Sequence, residues 1–350
     1  MKKLLLIGSN AGNAHLSNFL ELVRSDFDDV LVVSDYPVNF APHRHISFSL
    51  RNPFKIVNSI RQLREIIEAY DPSIIHVHQV NSYAFISTRA NAGKKPLVLT
   101  AWGSDVLILP KKSWIHKWLV KQGLKNADII TADSYQMKDS IIQLWPSATV
   151  INANFGVSLD LNLTYDAQRS FTIYSNRMHE PLYQIEELLD GMKTLLKKDG
   201  GSLVLAGKGS LTEHLKAKVE RNNLAEYVTF VGFVTRTQNI EYYLRSKYFI
   251  SIPKSDGTSI SLLEAMAYGC IPIVSDLPAN REWIEDGVNG IIKSNEEAME
   301  QAIYRGNQLD PQLVQERNKE IIALRATKEA NAKLFLAIYN RFLRSEAKEN

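Results

Sequence analysis

Short apolar runs separated by helical segments recur along this chain of 350 residues, and they do so in two successive series. In the first half the runs fall at 3–7, 30–34, 74–78, 96–100, 128–132 and 148–152. They are apolar at successive positions rather than at every second one, which reads as strands buried on both faces. Between two of them, segment 53–69 sets Phe54, Val57, Ile60 and Leu63 at helical spacing and so predicts one apolar helix face. Parallel strands need long crossovers, and helices serve best, so the alternation calls for a parallel sheet covered on both sides. The series then restarts at 171–175, 202–206, 228–232, 248–252, 271–274 and 289–292.

The fold class expected is therefore α/β, with two doubly wound, Rossmann-like domains whose strand ends face a shared cleft. The polar stretch Asp160-Leu161-Asn162-Leu163-Thr164-Tyr165-Asp166 is the best linker, giving domains at 1–160 and 161–325. A final helical stretch, about 310–344, presents Leu334, Phe335, Ile338, Tyr339 and Phe342 as an apolar face. Its last part, 326–350, is expected to pack back towards the first domain.

Hydrophobic residues make up 45% and charged residues 23%, which excludes disorder and a disulfide-stapled miniprotein. Cys270 is the only cysteine, so no internal disulfide can form. No apolar run approaches the ~18 residues of a membrane span. The opening Met1-Lys2-Lys3-Leu4-Leu5-Leu6-Ile7 stops at Gly8, short of a secretory signal, and a cytoplasmic protein is expected.

The net charge of +3 hides a local excess, because residues 44–125 carry thirteen basic and four acidic side chains. Such an excess suits an anionic partner: phospholipid or a lipid-linked diphosphate. Nucleic acid is not expected, since no zinc-finger, helix-turn-helix or RNA-platform motif accompanies the charge. Within 111–125, Trp114 and Trp118 stand four apart among Lys111, Lys112, Lys117 and Lys121, and the expectation is docking on an anionic membrane surface. The competing reading turns Ile115 and Leu119 to the core, lets the tryptophans cover them and leaves the lysines merely solvated.

The segment 255–269 carries the clearest chemistry. It follows a strand, passes Asp256 and Gly257, and enters a helix holding Glu264 and ending at Gly269. Small residues between the two acids leave backbone N–H groups at the positive helix end, where a diphosphate can bind. Acceptor-only carboxylates take hydrogen bonds from sugar and ribose hydroxyls. The rival reading is a capped helix with one solvated glutamate.

Asp256-x7-Glu264, continued by Ile271-Pro272-Ile273-Val274-Ser275 and Glu285-Asp286-Gly287-Val288-Asn289-Gly290, resembles the donor-binding region of the family 4 retaining glycosyltransferases, which have the two-domain GT-B fold. Further matching pieces are Ile74-Ile75-His76-Val77-His78, Thr100-Ala101-Trp102-Gly103-Ser104-Asp105, Asn126-Ala127-Asp128-Ile129-Ile130, Ser175-Asn176-Arg177, Leu205-Ala206-Gly207-Lys208-Gly209 and Val231-Gly232-Phe233. Their order over some 280 residues is what makes the resemblance specific.

The resemblance implies that Asp256 contacts the donor sugar, where the family usually has glutamate, and that Glu264 holds the ribose. It places backbone amides near Thr258, Ser259 and Ile260 on the diphosphate, with Gly257 among the donor-binding residues, and the turn of Gly232 and Phe233 at the nucleobase. Arg177 matches the family's diphosphate-binding arginine. The lysine expected six residues later is Tyr183, which brings a phenol and no positive charge, so Lys208 is the candidate for the missing cation. Trp102 stands where histidine is common and offers a stacking face or a packed wall. Asp105 is a turn cap or an acceptor contact. The loop Gly8-Ser9-Asn10-Ala11-Gly12 lacks dinucleotide-binding spacing, and the resemblance brings Gly12 near the donor and Asn13 near the acceptor. His76 and His78 have no third ligand spaced to join them, so they read as packing or cleft lining.

The implied activity is a retaining, metal-independent glycosyltransferase using a nucleotide sugar, UDP-linked by preference, as substrate and no cofactor. The acceptor would be a glycan or lipid-linked sugar of cell-surface polysaccharide synthesis, met in the cytoplasm at the inner face of the membrane. The alternatives are a nucleotide-sugar 2-epimerase and a non-catalytic partner of a transferase.

Overall fold

The computed structural model describes residues 1–9, 15–159 and 172–346. The expected linker at 160–166, Gly12 and Asn13 lie outside the described residues. The chain divides into two compact units, Met1–Gly156 with Lys328–Asn350, and Val157–Thr327.

The first unit holds β1 (Lys3–Ile7), β2 (Asp29–Ser34), β3 (His43–His45), β4 (Ile74–His78), β5 (Leu97–Thr100), β6 (Ile129–Ala132) and β7 (Val150–Asn152). Its helices are α1 (His15–Val23), α2 (Pro53–Tyr70), α3 (Ser82–Asn91), α4 (Ser104–Leu107), α5 (Leu109–Lys112), α6 (Trp114–Lys125) and α7 (Tyr135–Leu144). The strands form one sheet in the order β3-β2-β1-β4-β5-β6-β7, all pairs parallel. The periodic reading missed β3, a short edge strand of sequence His-Arg-His with no apolar run to announce it.

The second unit holds β8 (Thr172–Ser175), β9 (Ser202–Ala206), β10 (Val228–Gly232), β11 (Tyr248–Ser251), β12 (Ile271–Ser275) and β13 (Ile291–Lys293). Its helices are α8 (Ile185–Asp199), α9 (Thr212–Arg221), α10 (Arg236–Arg245), α11 (Ile260–Ala267), α12 (Pro278–Arg281), α13 (Met299–Asn307) and α14 (Pro311–Arg325). The parallel sheet runs β10-β9-β8-β11-β12-β13. Strand order thus reverses between β1 and β4 in the first sheet and between β8 and β11 in the second. In doubly wound sheets, the crevice at the carboxyl ends of such strand pairs is where ligands bind.

The long terminal helix expected over 310–344 is two helices, α14 and α15 (Lys328–Glu346). Between them Ala326 accepts the Val157 amide at 2.7 Å, and Val157 bridges Thr327. α15 buries Phe335, Ile338 and Tyr339 against Leu16, Phe19 and the outward residues Leu4 and Leu6 of β1. The apolar face read from the sequence is therefore the one that closes the first unit. His76 is fully buried there, with Nδ1 2.6 Å from the Tyr339 hydroxyl and Nε2 2.7 Å from Thr100 Oγ1. Burial drives its pKa well below the ordinary value, so the imidazole is neutral.

α2 corrects the sequence reading more sharply. Asn52 caps it, accepting the Phe54 amide at 2.9 Å, and Pro53 occupies the first turn. Its buried residues are Ser59, Leu63 and Ile67, with Ile56, Ile60 and Ile66 partly covered. Phe54 is 86% exposed and Val57 67%, so the predicted face holds only from Ile60 onward. The first two turns do pack, through Ile56 and Ser59; successive steps of three residues drift round a helix of 3.6 residues per turn, so Phe54 and Val57 lie off the face that Ser59, Leu63 and Ile67 bury. Among the described residues no helix is long and apolar enough to cross a membrane.

Candidate functional site

In the second unit, the reversal between β8 and β11 opens where two loops begin. The chain leaving β8 carries Asn176 and Arg177, and the chain leaving β11 carries Asp256 to Ser259. Arg177 Nη2 lies 2.5 Å from Asp256 Oδ2, and Arg177 Nη1 donates to Ser259 Oγ at 2.9 Å. A third partner is aromatic: the guanidinium carbon stands 4.5 Å from the centre of the Tyr183 ring. Residues 79 apart in sequence are thus brought together by adjacent strands.

Ser259 has two tasks. It caps α11, its Oγ accepting the Leu262 amide at 3.3 Å, while the same oxygen receives Arg177. The amides of Ile260 and Ser261 have no partner among the described residues, as expected at a helix start. The helix end and the guanidinium therefore converge on one place with positive character. Burial raises the Asp256 carboxyl above its ordinary value, opposed by the Arg177 charge and the Gly257 amide.

Glu264 sits one turn into α11. Its Oε2 accepts Asn239 Nδ2 at 3.0 Å and lies 3.1 Å from the Tyr243 hydroxyl. Both partners come from one face of α10, four residues apart. Behind them the Tyr174 hydroxyl donates to Asn239 Oδ1 at 2.7 Å. Asn176 Nδ2 lies 3.0 Å from the same oxygen and 2.8 Å from the Tyr243 hydroxyl. This chain fixes one carboxylate oxygen and leaves Oε1 free of partners among the described residues. Burial raises the Glu264 pKa, against the pull of Tyr243, Arg236 and Asn239.

Three strand ends meet beside Arg177. Gly207, at φ 103°, lies so near that a Cβ there would stand 2.8 Å from the Arg177 carbonyl oxygen. Its amide donates to the Gly232 carbonyl at 2.7 Å. Gly232, at φ 69°, has the Lys208 side chain beside it, with Cε 3.2 Å from where a Cβ would be. Both positions favour glycine for their positive φ, and at Gly207 the backbone of Arg177 leaves no room for a side chain either. Lys208 is exposed and makes no ion pair among the described residues, and Phe233 next to Gly232 is 67% exposed.

In the first unit the carboxyl ends of β4 and β5 carry His78 and Trp102. The indole Nε1 donates to His78 Nδ1 at 3.1 Å, so the Trp102 N–H is committed within the unit. Asp105 is buried, accepting the Val80 amide at 2.6 Å and the Trp102 amide at 3.1 Å. Burial raises its pKa against these amides. Its carboxylate is spent on pinning the loop that presents Trp102. The chain's one Asp-x-Asp, Asp26-Phe27-Asp28, lies at the opposite, amino edge of that sheet, where Asp28 accepts the Lys2 amide at 2.7 Å.

The structure thus assembles Arg177, Tyr183, Asp256, Gly257, Thr258, Ser259, Ile260 and Glu264 around the start of α11, with Lys208, Gly232 and Phe233 on the neighbouring strand ends. Trp102 and Asp105 belong to the first unit. The sequence reading missed Asn239, Tyr243 and Tyr174. Asn239 and Tyr243 at helical spacing on α10 are the only signal, and a weak one.

The comparisons with known proteins agree. Residues 3–134 match the family described as Glycosyl transferase 4-like, and residues 164–306 match Glycosyl transferases group 1. The putative glycosyltransferase EpsD of Bacillus subtilis is 24% identical over 337 residues, 85% of each chain. An uncharacterized glycosyltransferase of Methanocaldococcus jannaschii, MJ1607, is 30% identical over 249 residues, 64% of this chain and 62% of its own. Among solved structures, Anabaena HepE in complex with UDP superposes with a TM-score of 0.79 at 15% identity, over 97% of this chain and all of HepE.

Proposed function

Since the chain is a group 1, family 4-like glycosyltransferase with two GT-B Rossmann-like domains, we propose that it transfers a sugar from a UDP-linked donor with retention of anomeric configuration. The observation that carries the proposal is the convergence of Arg177 with the free N–H groups at the start of α11.

As the glycosidic bond breaks, negative charge grows on the departing diphosphate. Arg177 and the amides of Ile260 and Ser261 meet that charge with fixed donors, which favours the transition state over the ground state. Lys208 supplies the second cation. Glu264 Oε1 accepts from the ribose hydroxyls, and Asp256 takes hydroxyls of the sugar once the donor competes for Arg177. The exposed ring of Phe233 lies at the nucleobase end. Fixed cations do the work of a divalent ion, and the diphosphate oxygen itself receives the acceptor proton on the face it leaves. No protein nucleophile is required. HepE, solved with UDP, supports the choice of nucleotide.

The acceptor is a glycan or a lipid-linked sugar of cell-surface polysaccharide synthesis, met at the cytoplasmic face of a membrane. Incubation with a panel of UDP-sugars and acceptors in the presence of EDTA tests the reading, with the product anomer assigned by NMR. Transfer with retention is expected. An inverted product, or activity that needs a divalent ion, would overturn it.

A further inference from the structure

We propose that the first unit docks on an anionic lipid bilayer through a surface built from the amino-terminal ends of α2, α3 and α6. The three helices lie side by side on one face of the sheet and share its core, in which Leu63, Tyr83, Phe85 and Leu119 are buried. Each returns the chain to the amino edge of the sheet, so their amino-terminal ends lie together at the edge where β4 and β5 finish.

That end is apolar where a soluble surface would be polar. On α6, Trp114 is 78% exposed and Trp118 46%, and Ile115 beside them is exposed. Ile108 is exposed just before α5, and α2 adds Phe54 and Val57. The sheet does not need these side chains: α6 packs through Leu119, Val120, Gly123 and Leu124 instead. α3 joins the two flanks, with the Trp118 ring 5.7 Å from Phe85 and the Arg89 guanidinium 3.7 Å from the same ring.

Charge chooses the occupant. From residue 36 to residue 127 the only acids are Glu65, Glu68, Asp71 and Asp105. Asp105 is buried, and the others sit towards the far end of α2, facing Arg61 at 3.8 Å, Lys94 at 2.9 Å and Lys95 at 2.5 Å. Arg51, Lys55, Lys111, Lys112 and Lys117 are exposed around the apolar side chains and make no ion pair among the described residues. A second copy of the chain would set these charges against each other. Nucleic acid would leave Val57, Ile108 and Ile115 with nothing to bury. Tryptophan at headgroup depth, aliphatic side chains below it and lysines on anionic phosphates satisfy every group.

Vesicle flotation decides the matter and needs neither donor nor acceptor, so it stands or falls apart from the transferase reading. The protein should float with phosphatidylcholine vesicles containing phosphatidylglycerol and stay behind with phosphatidylcholine alone, and salt should weaken binding. Each lysine is worth about fivefold in affinity, so Lys111→Glu, Lys112→Glu and Lys117→Glu together should cost about a hundredfold or more. Phe54→Ser with Val57→Ser should weaken binding on its own, as should Trp114→Ser. The melting temperature of each variant should match the wild type, because these side chains are exposed. Equal recovery on neutral vesicles, no recovery, a concentration-dependent dimer abolished by the same changes, or an α2 variant that floats like wild type would overturn the proposal.

Discussion

Tyr183 stands where a lysine would neutralise the diphosphate, and the structure gives it a task that needs no charge. Its ring faces the Arg177 guanidinium at 4.5 Å, and its hydroxyl has no partner among the described residues. The Arg177 side chain is only 10% exposed, so the contact is largely desolvated. A cation–π contact under those conditions contributes about 1–2 kcal/mol, roughly a five- to thirtyfold effect. Tyr183→Phe keeps the ring and should keep kcat/KM for the donor within about twofold. Tyr183→Leu fills similar space without the quadrupole and should lose most of that factor, chiefly in kcat, because Arg177 meets charge that grows during reaction. The assay is steady-state transfer from the UDP-sugar, with thermal melting to show that both variants fold. A Phe variant as impaired as the Leu variant would show that the hydroxyl, not the ring, serves the diphosphate. An unimpaired Leu variant would show that Tyr183 only packs.

Glu264→Ala should raise the donor KM with kcat little changed, whereas Arg177→Ala should mainly depress kcat; full activity in both would remove them from the site. Asn239→Ala takes a donor from Glu264 Oε2, at a cost of about 1–3 kcal/mol in donor binding, and should move the acid limb of the pH–KM profile to higher pH, because Asn239 holds the carboxyl down. An unshifted limb would show that Asn239 does not set that group. Tyr339→Phe leaves buried His76 Nδ1 without its 2.6 Å partner and should lower unfolding free energy by about 1–3 kcal/mol in urea titrations. His76 is held neutral in the fold, with a pKa far below its ordinary 6.5, so its contribution should be complete above about pH 6.5 and lost as pH falls below it. A stability curve flat from pH 7 to 5 in wild type and altered in His76→Gln would contradict that sign.

The parallel sheets were legible because strands buried on both faces leave continuous apolar runs, and twelve of those runs are strands. β3 was not, because an edge strand needs no apolar run. The outward turn of Phe54 and Val57 was hidden for a different reason: steps of three residues drift round a helix of 3.6 residues per turn, and the face that packs runs through Ile56, Ser59, Leu63 and Ile67. At the site, Asp256 and Glu264 were singled out by the family resemblance, since their spacing alone fitted a capped helix with one solvated glutamate equally well. The pairing of Arg177 with Asp256 and Ser259 depends on β8 lying next to β11, which strand order decides and local sequence does not. Asn239 and Tyr243 act through Glu264 from a different helix, so nothing near Glu264 in sequence announces them. Asp105 reads as an acid at a strand end in either role, and only its burial shows that the backbone consumes it.

The account rests on a diphosphate meeting Arg177 and the start of α11 while a ribose meets Glu264. Calorimetric titration with UDP and with uridine, each against wild type, Arg177→Ala and Glu264→Ala in EDTA, tests this most directly. The prediction is that Arg177→Ala weakens UDP at least tenfold, on the order of one charge-assisted hydrogen bond, and leaves uridine unchanged, whereas Glu264→Ala weakens both. Equal losses of UDP and uridine in Arg177→Ala, or UDP binding that neither substitution affects, would contradict it.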